Sequence, residues 1–461
     1  MTRLLCLTLL SLSVVTETPA ESRPNIVVIV ADDLGYADIG FMGAKEIRTP
    51  HLDRLAASGT ILDSFYVQPV CSPTRATLMT GRYPTRTGVY TIVRPNAKWG
   101  LPLEERTLAV ALREAGYHTA ICGKWHLGEF QKDHQPTRRG FDEQYGHFFG
   151  AIDYFTKLRD GQRDWYRNDE PCADEGYSTH LVAREACRIV RERPKDKLLF
   201  LYVPFNAVHS PLQVPDSYLQ PYPQFTGARQ KYAGMVAAMD EAIGQIVAAL
   251  DEAEIREETL ILFSSDNGGP SPGKITDNGP LRAGKGTIFE GGVRVCALAN
   301  WSKHIKAGTH VTEPIHMVDC FPTLVKLAGG TLEQKLPLDG LDVWSTITQG
   351  AKSPHDAILL CGQPTKAAVR SGDWKLLLNA GQQDAEQSAD PADEQPAANK
   401  KKNSKKAKDS AKSVENVQLY NLATDIGEKH NLAADQPQRV AELRAKLARF
   451  LNDAVKPGNP D

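Results

Sequence analysis

At 461 residues, with 41% hydrophobic and 24% charged residues and a formal net charge of −2, the chain has the composition of a globular protein. It is long enough to bury one large core and a smaller second one. The near-neutral balance excludes a globally basic nucleic-acid binder and a strongly charged membrane-surface protein.

The chain opens with Arg3, an apolar run at 4–15 and small residues around Ala20. This reads as a secretory signal peptide over residues 1–20, so the mature protein is expected to be soluble and exported, secreted or periplasmic. The run is too short to span a bilayer, and no later stretch is expected to be long and apolar enough. Beyond Cys6 and Cys71, the six cysteines Cys122, Cys172, Cys187, Cys296, Cys320 and Cys361 show no spacing that names disulfide pairs. Buried thiols are expected for most of them.

A β-branched run at 25–30 predicts a strand buried on both faces, as in a parallel sheet, and it ends in Asp32-Asp33. A short helix is predicted over 49–59 and a strand over 61–67. The loop Cys71-Ser72-Pro73-Thr74-Arg75 then enters a helix over 74–80, which Gly81 can end. That places Cys71 at a helix N-terminus, where the dipole and free N–H groups favour anions. A helix over 103–115 and a strand over 119–123 lead to Lys124-Trp125-His126, whose Lys and His, two apart, project the same way. Residues 129–177 read as long, aromatic-rich recognition loops holding Arg138, His147, Asp153 and Trp165. A helix over 178–193, a buried strand over 198–203 ending near His209, a helix over 232–251 and a strand over 259–263 ending in Asp266-Asn267 follow. Lys285 lies in the next Gly-rich segment, and a helix is predicted over 317–328.

Strands alternating with helices predict a mostly parallel sheet covered on both faces. The C-terminal part differs: strands over 366–378 and 418–422 and a helix over 436–453. Between them, 380–414 is Ala-rich and acidic, then Lys-rich, and reads as a disordered, solvated insertion. The expected organisation is a signal peptide over 1–20, a catalytic domain over 21–335 and a C-terminal subdomain over 336–461.

In a parallel sheet the C-terminal strand ends face one side. Asp32, Asp33, Lys124, His126, His209, Asp266 and Asn267 can therefore converge with the Cys71 loop and Lys285. Asp32, Asp33, Asp266 and Asn267 offer only oxygen ligands, a set that selects Ca²⁺ or Mg²⁺ over zinc. Arg75, Lys124, His126, His209 and Lys285 suit a tetrahedral oxyanion ester.

The motifs D-D-L-G, C-x-P-x-R, G-K-W-H-L-G, V-H-x-P, S-D-N-G-G and P-L-R-x-G-K-x-x-x-x-E-G-G resemble those of formylglycine-dependent sulfatases, in family order. More narrowly, Q-P-V-C-S-P-T-R, P-T-R-R-G-F-D-E-Q-Y-G and D-Y-F look like the arylsulfatase B (N-acetylgalactosamine-4-sulfatase) branch. Thr74 stands where the family most often has Ser. The resemblance implies an alkaline-phosphatase-like α/β fold, with a smaller C-terminal α+β domain on a short antiparallel sheet. It implies that a maturation enzyme converts Cys71 to formylglycine (3-oxoalanine). It also implies that Asp32, Asp33, Asp266 and Asn267, with the modified Cys71, hold Ca²⁺ or Mg²⁺. The hydrate then attacks sulfur, His209 and Lys285 assist the leaving group, His126 drives release of sulfate, and Lys124 and Arg75 hold the charge. Lys124, His209 and Lys285 would also bind substrate. The expected substrate is a sulfated carbohydrate, galacto-configured or of glycosaminoglycan type. A phosphonate or phosphate ester hydrolase of the same superfamily is the alternative, and a glycan-binding pseudoenzyme a third reading.

Overall fold

The computed structural model describes residues 23–381 and 415–458. The expected signal peptide, and the expected insertion from residue 382 on, lie outside the described residues.

A ten-stranded sheet organises the fold. Its strands are β1 (Asn25–Ala31), β2 (Thr60–Leu62), β3 (His118–Lys124), β4 (Glu143–His147), β5 (Tyr166–Arg167), β6 (Glu170–Pro171), β7 (Leu199–Pro204), β8 (Thr259–Ser265), β9 (Ala297–Asn300) and β10 (Thr309–Val311). Their order is β10-β2-β9-β8-β1-β7-β3-β4-β5-β6. The central strands β8-β1-β7-β3-β4 pair in parallel, and β9 runs antiparallel beside β8. Strand β1 shows why: Val27, Ile29 and Ala31 enter one core, while Ile26, Val28 and Val30 enter the core on the opposite face. A strand apolar on both sides is stable only between two helical layers.

One layer contains α4 (Ser178–Glu192) and α5 (Gly227–Glu252), the other α2 (Cys71–Thr80), α3 (Leu108–Glu114) and α6 (Cys320–Leu327). In chain order α1 (Pro50–Ala57) precedes them. Contrary to expectation, one helix among the described residues, α5, is long and apolar enough to cross a membrane, and 72% of its most apolar window is buried inside the fold.

Several expected elements shift. The first helix turns of 103–107 are absent because Thr107 caps the helix, its side chain accepting from Val110 N. The strand expected over 61–67 breaks at Asp63-Ser64, and its second half, Phe65–Tyr66, joins a separate small sheet with Arg294–Val295 and Ile315–His316. The region 129–177 is not loop alone, since β4 extends the parallel sheet. The C-terminal sheet has a strand that was not foreseen, β11 (Ile358–Gln363), beside β12 (Lys366–Ser371), β13 (Trp374–Leu378) and β14 (Val417–Asn421). All its pairings are antiparallel, and α7 (Pro437–Leu451) packs on it through Leu443 and Leu447. The seven cysteines among the described residues are free, and all but Cys172 are buried.

Candidate active site

Strands β8, β1, β7 and β3 are neighbours in the sheet, and their C-terminal ends carry Asp266-Asn267, Asp32-Asp33, His209 and Lys124-His126 in turn. The expected convergence is therefore present. Lys124 Nζ lies 2.6 Å from Asp32 Oδ2. Lys285 Nζ lies 3.0 Å from Asp33 Oδ2 and 3.1 Å from His209 Nε2. Asn267 Nδ2 donates to Asp33 Oδ1 at 2.7 Å. All of these side chains are buried. Asp33 and His126 hold left-handed backbone (φ 64° and 60°), which a non-glycine residue keeps only where its surroundings fix it.

Cys71 is the first residue of α2, and every residue of that helix is buried. Burial of its polar residues is tolerated because they bond locally. Thr74 Oγ1 donates to Gln68 O and accepts from Gln68 N, both at 3.0 Å, so the hydroxyl in the serine position of the motif pins the loop before the cysteine. Thr77 and Thr80 bond back to Thr74 O and Ala76 O. Cys71 Sγ sits 3.2 Å from His126 Nδ1. His126 Nε2 lies 3.0 Å from Val93 O, and a carbonyl can only accept, so Nε2 carries the proton and Nδ1 offers its lone pair to residue 71. Ser72 holds this arrangement, with Oγ donating to His126 O and accepting from Val93 N.

Arg75 is turned inward. Nε and Nη2 both donate to Asp266 Oδ2, at 3.1 and 2.7 Å, and Nη1 donates to Lys124 O. It therefore braces the carboxylates and the β3 end. His209 Nδ1 lies 2.6 Å from Ser210 O, which leaves Nε2 to accept from Lys285.

The electrostatics split the carboxylates. Burial and the neighbouring Asp266 raise Asp32 to about 6, against the pull of Lys124, His209 and Arg75. Burial acts on Asp266 too, yet Arg75 and Lys124 hold it below its ordinary value. Burial is the largest single influence on Lys124 and pulls it down, yet Asp32, Cys71 and Asp266 together hold it above its ordinary value. Burial pushes the Cys71 thiol up to about 12, so the unmodified thiol is a poor nucleophile at neutral pH.

Two buried acceptors, Asp32 Oδ1 and Asn267 Oδ1, have no hydrogen-bond partner among the described residues. Asp32, Asp33 and His209 each offer a donor atom within 4.8 Å of one another. Lone pairs buried without donors are costly unless a cation meets them, and oxygen donors suit Ca²⁺ or Mg²⁺. The residues fit a hard divalent cation.

His147 was not foreseen as part of this cluster. It is the register partner of Lys124 on β4, its Nδ1 lies 3.0 Å from Phe149 O, and burial with Lys124 and Arg75 keeps its ring neutral. Tyr154 was also missed; its hydroxyl donates to Asn206 O and His209 O and fixes the His209 loop. Only the D-Y-F string hinted at it.

The sulfatase family pattern matches residues 24–330. Arylsulfatase J of Mus musculus is 37% identical over 469 residues, covering 95% of this chain and 77% of that protein. N-acetylgalactosamine-6-sulfatase of Homo sapiens is 35% identical over 377 residues, covering 76% and 70%. The crystal structure of Ps i-CgsB in complex with k-i-k-neocarrahexaose superposes with a TM-score of 0.83 at 34% identity, covering 95% of this chain and 94% of that one.

Proposed function

The chain belongs to the sulfatase family, with the alkaline-phosphatase-like fold and sulfuric ester hydrolase chemistry of its relatives, and from that premise we propose that it is an exported enzyme removing sulfate from carbohydrates. The observation that carries the site assignment is that two donorless oxygens, Asp32 Oδ1 and Asn267 Oδ1, share one buried cluster with the cations Lys124 and Lys285, which pair with Asp32 Oδ2 and Asp33 Oδ2.

Asp32, Asp33, Asp266 and Asn267, with the modified residue 71, would hold Ca²⁺ or Mg²⁺, which supplies Lewis acidity toward a sulfate oxygen. Formylglycine made from Cys71 by a maturation enzyme supplies, as its hydrate, an oxygen nucleophile. The rest is the work of neighbouring side chains. His126 Nδ1, lone pair toward residue 71, accepts a proton from a hydroxyl at that position. Lys124, held by Asp32, attracts the sulfate charge. The Lys285–His209 pair delivers a proton to the departing sugar oxygen, with Asp33 keeping Lys285 in place. Arg75 acts one step back, keeping Asp266 ionised for the cation.

Three carboxylates (Asp32, Asp33, Asp266) face three cations (Arg75, Lys124, Lys285), so a divalent ion leaves the centre positive, as an anionic ester requires. A galacto-configured sugar is the proposed substrate class, supported by the N-acetylgalactosamine-6-sulfatase and neocarrahexaose relatives. Two measurements test the reading: mass spectrometry of the peptide bearing residue 71, and turnover of paired aryl sulfate and aryl phosphate esters with a panel of sulfated galacto- and gluco-oligosaccharides. Unmodified Cys71 sinks the nucleophile assignment. A phosphate preference sinks the sulfate assignment in favour of the phosphoester alternative, and preference for gluco-configured oligosaccharides sinks the substrate class.

A further inference from the structure

A second buried charge cluster lies where the C-terminal sheet meets the segment that carries Lys285. Lys375, on β13, is fully buried, with Nζ 2.8 Å from Glu290 Oε1 and 3.0 Å from Glu428 Oε1. Glu290 Oε2 accepts from Tyr66 OH at 2.7 Å and lies 3.5 Å from Arg294 Nη1. The backbone N–H of Glu290 donates to Glu428 Oε2 at 2.6 Å. From the same side, Arg282 donates to Glu428 O at 2.8 Å and to Tyr420 OH at 3.0 Å.

Glu290 begins a one-turn helix, Glu290–Val293, that meets the catalytic loops through backbone hydrogen bonds. Gly268 N, next to Asn267, donates to Gly292 O at 3.1 Å. A Cβ at Gly268 would stand 1.7 Å from Gly291 O, so the two segments are in backbone contact with no room for a side chain between them. Gly291 N donates to Arg282 O at 2.8 Å, and Gly286 N donates to Pro69 O at 2.8 Å, two residues before Cys71. Displacing Glu290 therefore moves the support of Asn267, Lys285 and the Cys71 loop together.

We propose that Lys375 is a positioning residue for ester hydrolysis, acting through Glu290 to hold Asn267 and Lys285 in register with residue 71. This rests on the cation and leaving-group roles argued above. Lys375 touches no reacting atom. A buried ion pair contributes little net stability against an apolar replacement, whereas one fixed by several partners at once specifies a position. The C-terminal sheet is then part of the catalytic apparatus, although it contributes no group to the centre.

The test uses the full-length, matured enzyme and three readouts: Ca²⁺ affinity by calorimetry with Ca²⁺ alone, kcat and KM on an aryl sulfate, and thermal unfolding. Lys375→Met is expected to weaken Ca²⁺ binding by about tenfold or more, the scale seen when groups supporting metal ligands are removed, and to lower kcat in parallel, with Lys375→Arg recovering most of both. Phe450→Ala is the control for loosening alone, since Phe450 packs edge-on against Tyr83 at the other side of the C-terminal sheet. It should lower the unfolding temperature and leave Ca²⁺ affinity unchanged. Should Lys375→Met not fold, Glu428→Gln removes one carboxylate from the same cluster and is expected to weaken Ca²⁺ binding about threefold, a fraction of the full supporting effect. Wild-type Ca²⁺ affinity in Lys375→Met or in Glu428→Gln, or an equal loss in Phe450→Ala, overturns the proposal. Wild-type protein that binds neither Ca²⁺ nor Mg²⁺ removes the cation reading itself, and this one with it.

Discussion

The two buried charge clusters are alike in composition and opposite in closure. At the strand ends Asp32, Asp33 and Asp266 meet Arg75, Lys124 and Lys285; at the C-terminal sheet Glu290 and Glu428 meet Lys375. Each splits its carboxylates. Asp32 is raised while Asp266 is lowered. In the same way burial raises Glu428 to about 7, while Lys375, Arg294 and Arg370 overcome burial and hold Glu290 at about 2. That is the behaviour of neighbouring acids in a dry place, where burial and mutual repulsion raise one member while the nearest cations hold the other down. The difference lies in the remaining lone pairs. Both oxygens of Glu290 are taken, by Lys375 and by Tyr66. Glu428 Oε1 accepts no hydrogen bond among the described residues, but it has Lys375 Nζ 3.0 Å away, whereas Asp32 Oδ1 and Asn267 Oδ1 accept none and lie in the cluster that fits a cation. A closed cluster locates a segment; a cluster left two oxygens short receives a ligand.

Four experiments press on that contrast. Replacing Cys71 by Ala or Ser should cut turnover by roughly 10⁴-fold or more while circular dichroism and the unfolding temperature stay near wild type, because the change touches chemistry and not closure. Full turnover by Cys71→Ala would refute the nucleophile assignment. Next in size, Lys375→Met leaves two buried carboxylates without their shared cation and should cost about 3–5 kcal/mol in urea unfolding. A loss under about 1 kcal/mol would mean that the cluster is not closed as described.

Chelation should act on the open cluster alone. Removing the divalent ion is expected to abolish activity reversibly and to forfeit about 2.7 kcal/mol of the stability seen at a hundredfold excess of Ca²⁺ over its Kd. The smallest effect concerns pH. Glu290 is held at about 2 against an ordinary 4.5, so its contribution to stability is complete above pH 4.5 and disappears as pH falls through about 2. Over that window the urea midpoint of the wild type should fall more steeply than that of Glu290→Gln; parallel curves would contradict the assignment.

Much of the open cluster was legible in the sequence because most of its members, Arg75 and Lys285 apart, follow a strand that announces itself. The runs ending in Asp32, His209 and Asp266 are apolar and β-branched or aromatic, and parallel pairing brings such ends together. Arg75 was placed in the cluster correctly, but its inward turn onto Asp266 follows from packing and not from spacing. The closed cluster was invisible for a different reason. Lys375 lies 85 residues from Glu290, in a strand whose pattern gives no sign that a lysine points inward, and Glu428 follows later still in a left-handed turn (φ 50°). Strand β4 was hidden by brevity: Glu143-Gln144-Tyr145-Gly146-His147 has no alternation strong enough to stand out from the surrounding loops. The short Ile358–Gln363 strand had the same defect.

The burial of α2 bears on timing. Cys71 is 1% exposed, and its helix is enclosed along its whole length. If Cys71 is converted as proposed, the enzyme that oxidises it has to reach a thiol that the folded molecule encloses. On that reading, maturation precedes closure of the fold. On the same reading, a chain that folds before its thiol is converted would be trapped inactive, because recovery would require unfolding. The yield of working enzyme is then set by a race between two rates, and slowing the folding of the newly made chain should raise the fraction that becomes active.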